Sequence, residues 1–219
     1  MTAQRTEFNL SSVFGVIAAE VPDREAVVWR DRRLTFAQID ERVSRFAQVL
    51  ASAGLGHRRE RSELAGHESG QDHVALYLHN GNEYIEAMIG SFKARAAPFN
   101  VNYRYVAEEL QYLLDNAQAK VVVFHSAFAP VLAEVLPQLD VVELLVQVPD
   151  DSGNDLLPGA TEYEALLAEA SAGSVRDDYA REGARVRNVN ATIGGHRVRV
   201  VELRSEERRV GKECLRLCR

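Results

Sequence analysis

Cysteine is missing from the first 213 residues, and the only two, Cys214 and Cys218, fall in the last six. This excludes a disulfide-stapled scaffold and a paired-cysteine zinc site for the body of the chain. The terminal pair has no histidine near it and follows acidic, cytosolic-type sequence, so both thiols read as incidental. Lysine is nearly absent as well, with three against 23 arginines, and the arginines are dispersed rather than gathered into a phosphate-binding surface. No run approaches the roughly 18–20 apolar residues of a membrane span. Around a short apolar stretch the N-terminus carries Arg5, Glu7 and Glu20, which is not the layout of a signal peptide, so the expected compartment is the cytoplasm. Peripheral membrane contact and oligomeric state stay open. The net charge of −6 argues against a nucleic-acid binder.

Charge is unevenly distributed over the 219 residues. Residues 1–174 hold 14 Lys and Arg against 25 Asp and Glu, whereas 175–219 hold 12 against 7, so two kinds of sequence are joined. In the first, Leu10, Val13, Phe14, Ile17 and Ala18 predict a docking helix capped by Asn9 or Ser11 and ended before Pro22. A hairpin follows, with strands at 25–30 and 33–34 turning at Asp31-Arg32. Thr35-Phe36-Ala37-Gln38 fits a capping box for a helix with Ile39, Val43, Phe46 and Leu50 inward. Gly54 stands where a left-handed stop belongs.

Residues 55–72 read as a surface loop, and from Val74 strands and helices alternate. Strands are predicted at 74–78, 98–101, 120–124 and 141–148, with helices at 83–96, 106–116, 127–136 and 161–172. In the first of these helices Tyr84, Ile85, Met88, Ile89 and Phe92 are expected to face inward. Strands joined by crossover helices make a parallel sheet covered on both faces, so the fold class is three-layer α/β/α. Beyond Ser174 the pattern degrades. Segments 185–187 and 198–201 suit strands, and Ile193-Gly194-Gly195-His196 suits a hairpin turn.

The residues that bear chemistry are sparse. There is no glycine-rich strand-to-helix turn for phosphate, no Gly-x-Ser-x-Gly elbow and no His-Glu-x-x-His. Asn80-Gly81-Asn82 occupies a strand-to-helix turn but lacks a second glycine and a lysine. His67, His73 and His79 recur every six residues, a spacing that does not align side chains on a helix, so they read as solvated loop histidines rather than metal ligands. The neighbouring carboxylates Glu108-Glu109, Asp150-Asp151 and Asp177-Asp178 point in different directions on any regular element and read as solvated surface. No catalytic or metal-binding residue is assigned from spacing.

Several stretches in order resemble the N-terminal part of the AMP-forming acyl-CoA synthetases, the adenylating ligases. They are Val21-Pro22-Asp23-Arg24-Glu25-Ala26-Val27, Leu34-Thr35-Phe36-Ala37-Gln38-Ile39 and Val74-Ala75-Leu76-Tyr77-Leu78-His79-Asn80. The most specific is Ala97-Pro98-Phe99-Asn100-Val101-Asn102-Tyr103-Arg104-Tyr105, running into Glu108-Glu109-Leu110-Gln111-Tyr112. The resemblance covers 8–172 and looks most like members acting on fatty or related bulky carboxylic acids. It implies that residues 1–174 are an incomplete N-terminal part of a larger adenylation domain. The parent would use ATP, Mg2+ and CoA: a carboxylate attacks the α-phosphate to give an acyl-adenylate and pyrophosphate, then the CoA thiol displaces AMP.

The family's phosphate loop should begin soon after Ser174. It is absent from this sequence, as are the adenine motif, the acidic ribose contact and the C-terminal catalytic lysine. The chain is therefore expected to be inactive alone and to bind none of the three tightly. Arg104 is the one site residue the resemblance implies, as a contact to the CoA phosphates; its local alternative is a solvated or capping residue paired with Glu108 or Glu109. Residues 204–214 resemble, codon for codon, the translation of a common sequencing adaptor. This implies a gene fragment with a non-native tail at 204–219 and a segment at 175–203 that is chimeric or frameshifted. The competing expectations are a complete flavodoxin-like ligand-binding module and a protein-interaction domain using an exposed sheet edge.

Overall fold

A computed structural model describes residues 10–172 and, as backbone, the strands Arg187–Ile193 and His196–Glu202. The chain divides into two compact units, Glu7–Asp178 and Met1–Thr6 with Tyr179–Arg219. In the first, helix α1 (Leu10–Glu20) precedes an antiparallel hairpin of β1 (Glu25–Trp29) and β2 (Arg32–Thr35). Trp29 pairs with Arg32, which leaves Arg30-Asp31 as the turn, and Arg30 takes a left-handed φ of 51°. Helix α2 (Phe36–Ser52) starts at the predicted capping box. Gln38 N–H donates to Thr35 Oγ1 at 3.3 Å, and Thr35 N–H donates to Gln38 Oε1 at 2.8 Å. It stops at Gly54, at φ 71°, where Leu55 N–H donates to Leu50 O and Gly54 N–H to Ala51 O in a Schellman closure.

A five-stranded sheet forms from β3 (His73–Tyr77), β4 (Ala97–Asn100), β5 (Ala119–His125), β6 (Leu144–Val148) and β7 (Ala160–Glu162). The strands lie in the order β4-β3-β5-β6-β7, every pairing parallel. Strand β7 overlaps the start of the helix expected from Thr161, which instead begins at Tyr163. Pro98, which has no N–H to give a ladder, is on the edge strand β4. Helices α3 (Asn82–Lys93), α4 (Ala107–Asn116), α5 (Ala129–Val135) and α6 (Tyr163–Glu169) complete the unit.

Alternation along the strands sorts two cores. Val74, Leu76, Val121, Val123 and Val146 face α2, α3 and α6, while Ala75, Tyr77, Val122 and Phe124 face α4 and α5. The fold is three-layer α/β/α. Burial in α3 departs from expectation, because its most buried residues are Asn82, Glu86, Ala87, Gly90 and Ser91, with Tyr84, Ile85, Met88, Ile89 and Phe92 only partly covered. The reason is helix α2, which crosses so closely that a Cβ at Gly90 would stand 2.8 Å from Phe46 Cδ1. A close crossing selects small residues for the contact and pushes the large ones to its flanks.

The expected surface loop at 55–72 is partly tied down. Leu55 and Asp72 are buried, and the Asp72 carboxylate accepts from Gly56 N–H at 2.9 Å and Arg58 Nε at 2.7 Å. In the second unit β8 (Arg187–Ile193) and β9 (His196–Glu202) pair antiparallel, Ile193 opposite His196, so 198–201 is strand as expected. Val186, the acidic pair Asp177-Asp178 and the tail beyond Glu202 lie outside the described residues.

Candidate functional site

In an open parallel sheet, ligands bind at the carboxyl ends of strands where the winding reverses. That point falls here between β3 and β5, since α3 leads from β3 to β4 on one side and α4 leads back to β5 on the other. A crevice of about 840 Å³ lies there, between the hairpin tip and the segments that follow β3, β5 and β6. Its aromatic side is continuous: the His79 ring stands 5.0 Å from Tyr103, 5.5 Å from His125 and 4.7 Å from Phe128. Across the hairpin tip, Arg30 lies over the Trp29 ring and reaches Asp151 at 3.6 Å, a pair too exposed to contribute much.

Three charged groups at the crevice are already committed. Asp150 accepts from Ala127 N–H and Ser152 N–H, both at 2.9 Å. Partial burial would raise its carboxyl, but the Ser152 side chain together with these two amides holds it below the usual range. Glu83, in the first turn of α3, answers Arg32 at 3.4 Å, and Arg32 also meets Glu164 at 3.3 Å. Helix α3 thus opens on its own carboxylate, which complements the helix dipole and repels a phosphate. Among the described residues no group of three or more His, Cys, Asp or Glu is placed to hold a metal. The residues described at the crevice thus show no built seat for a metal ion.

Beneath Glu83 lies a cluster that sequence reasoning missed. Glu86, fully buried, accepts from Arg42 Nε at 2.7 Å, Asn82 Nδ2 at 2.9 Å and Tyr163 Oη at 3.0 Å. Arg42 also donates through Nη2 to Glu164 at 2.7 Å. Burial works against the Arg42 charge, but its bonds to Glu164 and Glu86 more than offset this and push its pKa up. Burial and the adjacent Glu86 raise Tyr163 well above its ordinary value, so its hydroxyl stays a donor. The cluster joins α2, α3 and α6, and Arg32 extends it to the hairpin that walls the crevice. No motif signals it, because Glu86 is 44 positions from Arg42 and 77 from Tyr163, and Arg42 is 122 from Glu164.

Arg104 lies outside the crevice lining, on the exposed loop between β4 and α4. Its N–H donates to Asn102 Oδ1 at 3.1 Å, and its guanidinium stands 5.6 Å from the Tyr103 ring. Among the described residues it makes no ion pair, and Glu109 instead caps α4 by accepting from Val106 N–H at 3.2 Å. The histidines separate by task. His73 sits on β3 between Ser69 and the carbonyl of Ala117, His79 is exposed and walls the crevice, and His67 lies exposed in a turn. The solvated-loop reading fails for His73, because the strand begins one residue earlier than expected and includes it, whereas His79 lies past the strand's end and is exposed at the crevice. Asp150 likewise is a capping carboxylate, not a solvated one.

The family model described as AMP-binding enzyme matches residues 14–190. The medium-chain acyl-CoA ligase Mig of Mycobacterium avium is 51% identical over 172 residues, covering 78% of this chain and 31% of the relative. The 3-oxocholest-4-en-26-oate–CoA ligase of Rhodococcus rhodochrous is 39% identical over 152 residues, 69% of this chain and 25% of the relative. Among solved structures, the anthranilate CoA ligase AuaEII superposes with a TM-score of 0.66 at 17% identity, over 78% of this chain and 30% of that one. The N-terminal domain of FACL13 from Mycobacterium tuberculosis gives 0.61 at 24%, over 90% and 44%. At those identities the structures speak for the fold. The chain spans about a third or less of the curated relatives it matches. It belongs to the family of AMP-binding enzymes.

Proposed function

We propose that the chain is the N-terminal portion of an ATP-dependent acyl-CoA ligase that activates a fatty acid, or a related bulky carboxylic acid, and transfers the acyl group to CoA in the cytoplasm. The observation that carries this reading is the 51% identity to a medium-chain acyl-CoA ligase across 172 residues. The sterol-acid relative supports the extension to bulky acids. In this reading residues 1–174 supply framework to the adenylation domain, and the tail at 204–219 is not native. When bound, the metal ion would neutralise phosphate charge. The chain by itself is inactive, and since a ligand raises stability only by binding the folded state, ATP should not shift its Tm.

Arg104 is the residue of this portion that meets the CoA phosphates. Its planar, permanently charged fork suits phosphate oxygens, and its freedom from carboxylate partners among the described residues supports the role. The test joins residues 1–172 to the remainder of the Mycobacterium avium relative. Arg104→Ala in that hybrid should raise KM for CoA about tenfold while leaving acid-dependent pyrophosphate exchange unchanged. Equal loss in both half-reactions would make Arg104 a folding residue, and no loss in either would remove it from the site.

A further inference from the structure

The β3–β5 ladder runs from His73 opposite Ala119 to Tyr77 opposite Phe124 and stops there. Just past its end, the His79 N–H donates to His125 Nδ1 at 3.2 Å, so a side chain continues the link between the two strands. A ring nitrogen that accepts carries no proton, which puts the proton of a neutral His125 on Nε2. Among the described residues Nε2 has no hydrogen-bond partner, yet no buried side-chain nitrogen or oxygen is left unpaired. Nε2 therefore opens onto the crevice that His125 lines.

We propose that the bond from His79 to His125 is a protonation-controlled latch on the crevice floor, closed while His125 is neutral and opened when Nδ1 takes a proton. With Nδ1 protonated, two N–H groups confront each other and the bond is lost. Opening frees the segment bearing His79, and with it the ring contacts to Tyr103 and Phe128. The inference does not depend on the ligase reading.

The charges facing His125 come from three elements. Asp150, after β6, favours the imidazolium, but the amides of Ala127 and Ser152 hold its oxygens. His79, after β3, and Arg30, at the hairpin tip, oppose it, and Arg30 is itself tempered by Asp151. Phe128 presents only a ring, edge to face at 6.4 Å. Burial is the largest influence, and it holds the imidazole below its ordinary 6.5. A group lowered on folding favours the closed state above 6.5, and that contribution is lost as pH falls through the folded value.

The test is nitrogen NMR and amide exchange on the 219-residue chain. At pH 7.5 His125 should be a single tautomer with the proton on Nε2. The His79 amide should be protected about tenfold more than in His125→Leu. Lowering the pH through the His125 titration should abolish that protection in the wild type. In His125→Asn it should persist, because a side-chain oxygen accepts there without titrating. A proton on Nδ1 at pH 7.5, or His79 protection unchanged across the titration, would overturn the proposal. Both readouts use the wild-type chain, so they decide even where a variant fails to fold.

Discussion

On one face of the sheet α4 and α5 present Leu110, Leu114, Leu132 and Val135, all buried and all apolar. On the other, α2, α3 and α6 bring Arg42, Asn82, Glu86 and Tyr163 into the layer that holds Phe46 and Leu50. Apolar packing is non-directional and roughly additive with area, so the first face can yield at one position without losing the others. The ionic cluster works differently. Each charge was taken out of water at a cost, and the arrangement holds only while every partner is in place. Placing Arg32 at the edge of that cluster fixes the hairpin, and with it Trp29 and Arg30, over the crevice. One face supplies stability, and the other supplies position.

Glu86→Ala should separate the two faces most strongly. It leaves the Arg42 charge half-buried with one partner gone, and should destabilise the chain by about 3–5 kcal/mol in chemical denaturation. Replacing Arg42 and Glu86 together by apolar residues of similar size should cost far less than Glu86→Ala alone, which would show the penalty to be that of an orphaned charge. Leu114→Ala on the apolar face should cost about 2–5 kcal/mol, with no rescue from a polar partner. If Glu86→Ala proved as mild as a surface change, the two faces would not differ in kind.

Gly90→Ala tests how close α2 and α3 must come. The added methyl would meet Phe46 Cδ1 at 2.8 Å and the Val43 carbonyl at 3.1 Å. Overpacking of this kind costs about 1–3 kcal/mol, and the helix propensity of alanine returns at most about 1. Thr35→Ala removes one half of the capping box and should cost about 1 kcal/mol. Acid separates the faces without mutation. Burial alone would raise the Glu164 carboxyl, but its bonds to Arg42 and Arg32 lower it below its ordinary 4.5. Its contribution is complete above 4.5 and lost as pH falls through the folded value, so acid should erode the clamp before the α4–α5 face. Amide exchange in α6 should therefore accelerate at higher pH than exchange in α4.

The parts of this fold legible in the sequence are those written locally. Thr35 and Gln38 announce the α2 cap within four residues, Gly54 its end, and the Val-rich run at 121–123 its buried strand. The inward face of α3 was not legible, because apolar periodicity presumes that the flattest apolar stripe is the most buried. Here a helix pressing on Gly90 reverses that order. Strand β7 has only three residues and owes its place to pairing with β6, not to any pattern of its own. The crevice was invisible for a related reason. Trp29, His79, Tyr103, His125 and Asp150 come from five loops or strand ends, and each alone reads as an ordinary surface residue. Arg104 was reached through family resemblance alone, and the structure puts it near that crevice in sequence but outside its lining.

Under the proposed function, residues 1–172 act as the N-terminal part of an acyl-CoA ligase. The most direct measurement replaces the matching region of the Mycobacterium avium relative with these residues and assays acid-dependent pyrophosphate exchange with medium-chain acids, alongside the 219-residue chain alone. The hybrid should exchange within about tenfold of the intact relative, and the chain alone should show nothing above background. A hybrid that folds cooperatively yet exchanges with no acid, or a chain that exchanges by itself, would contradict it.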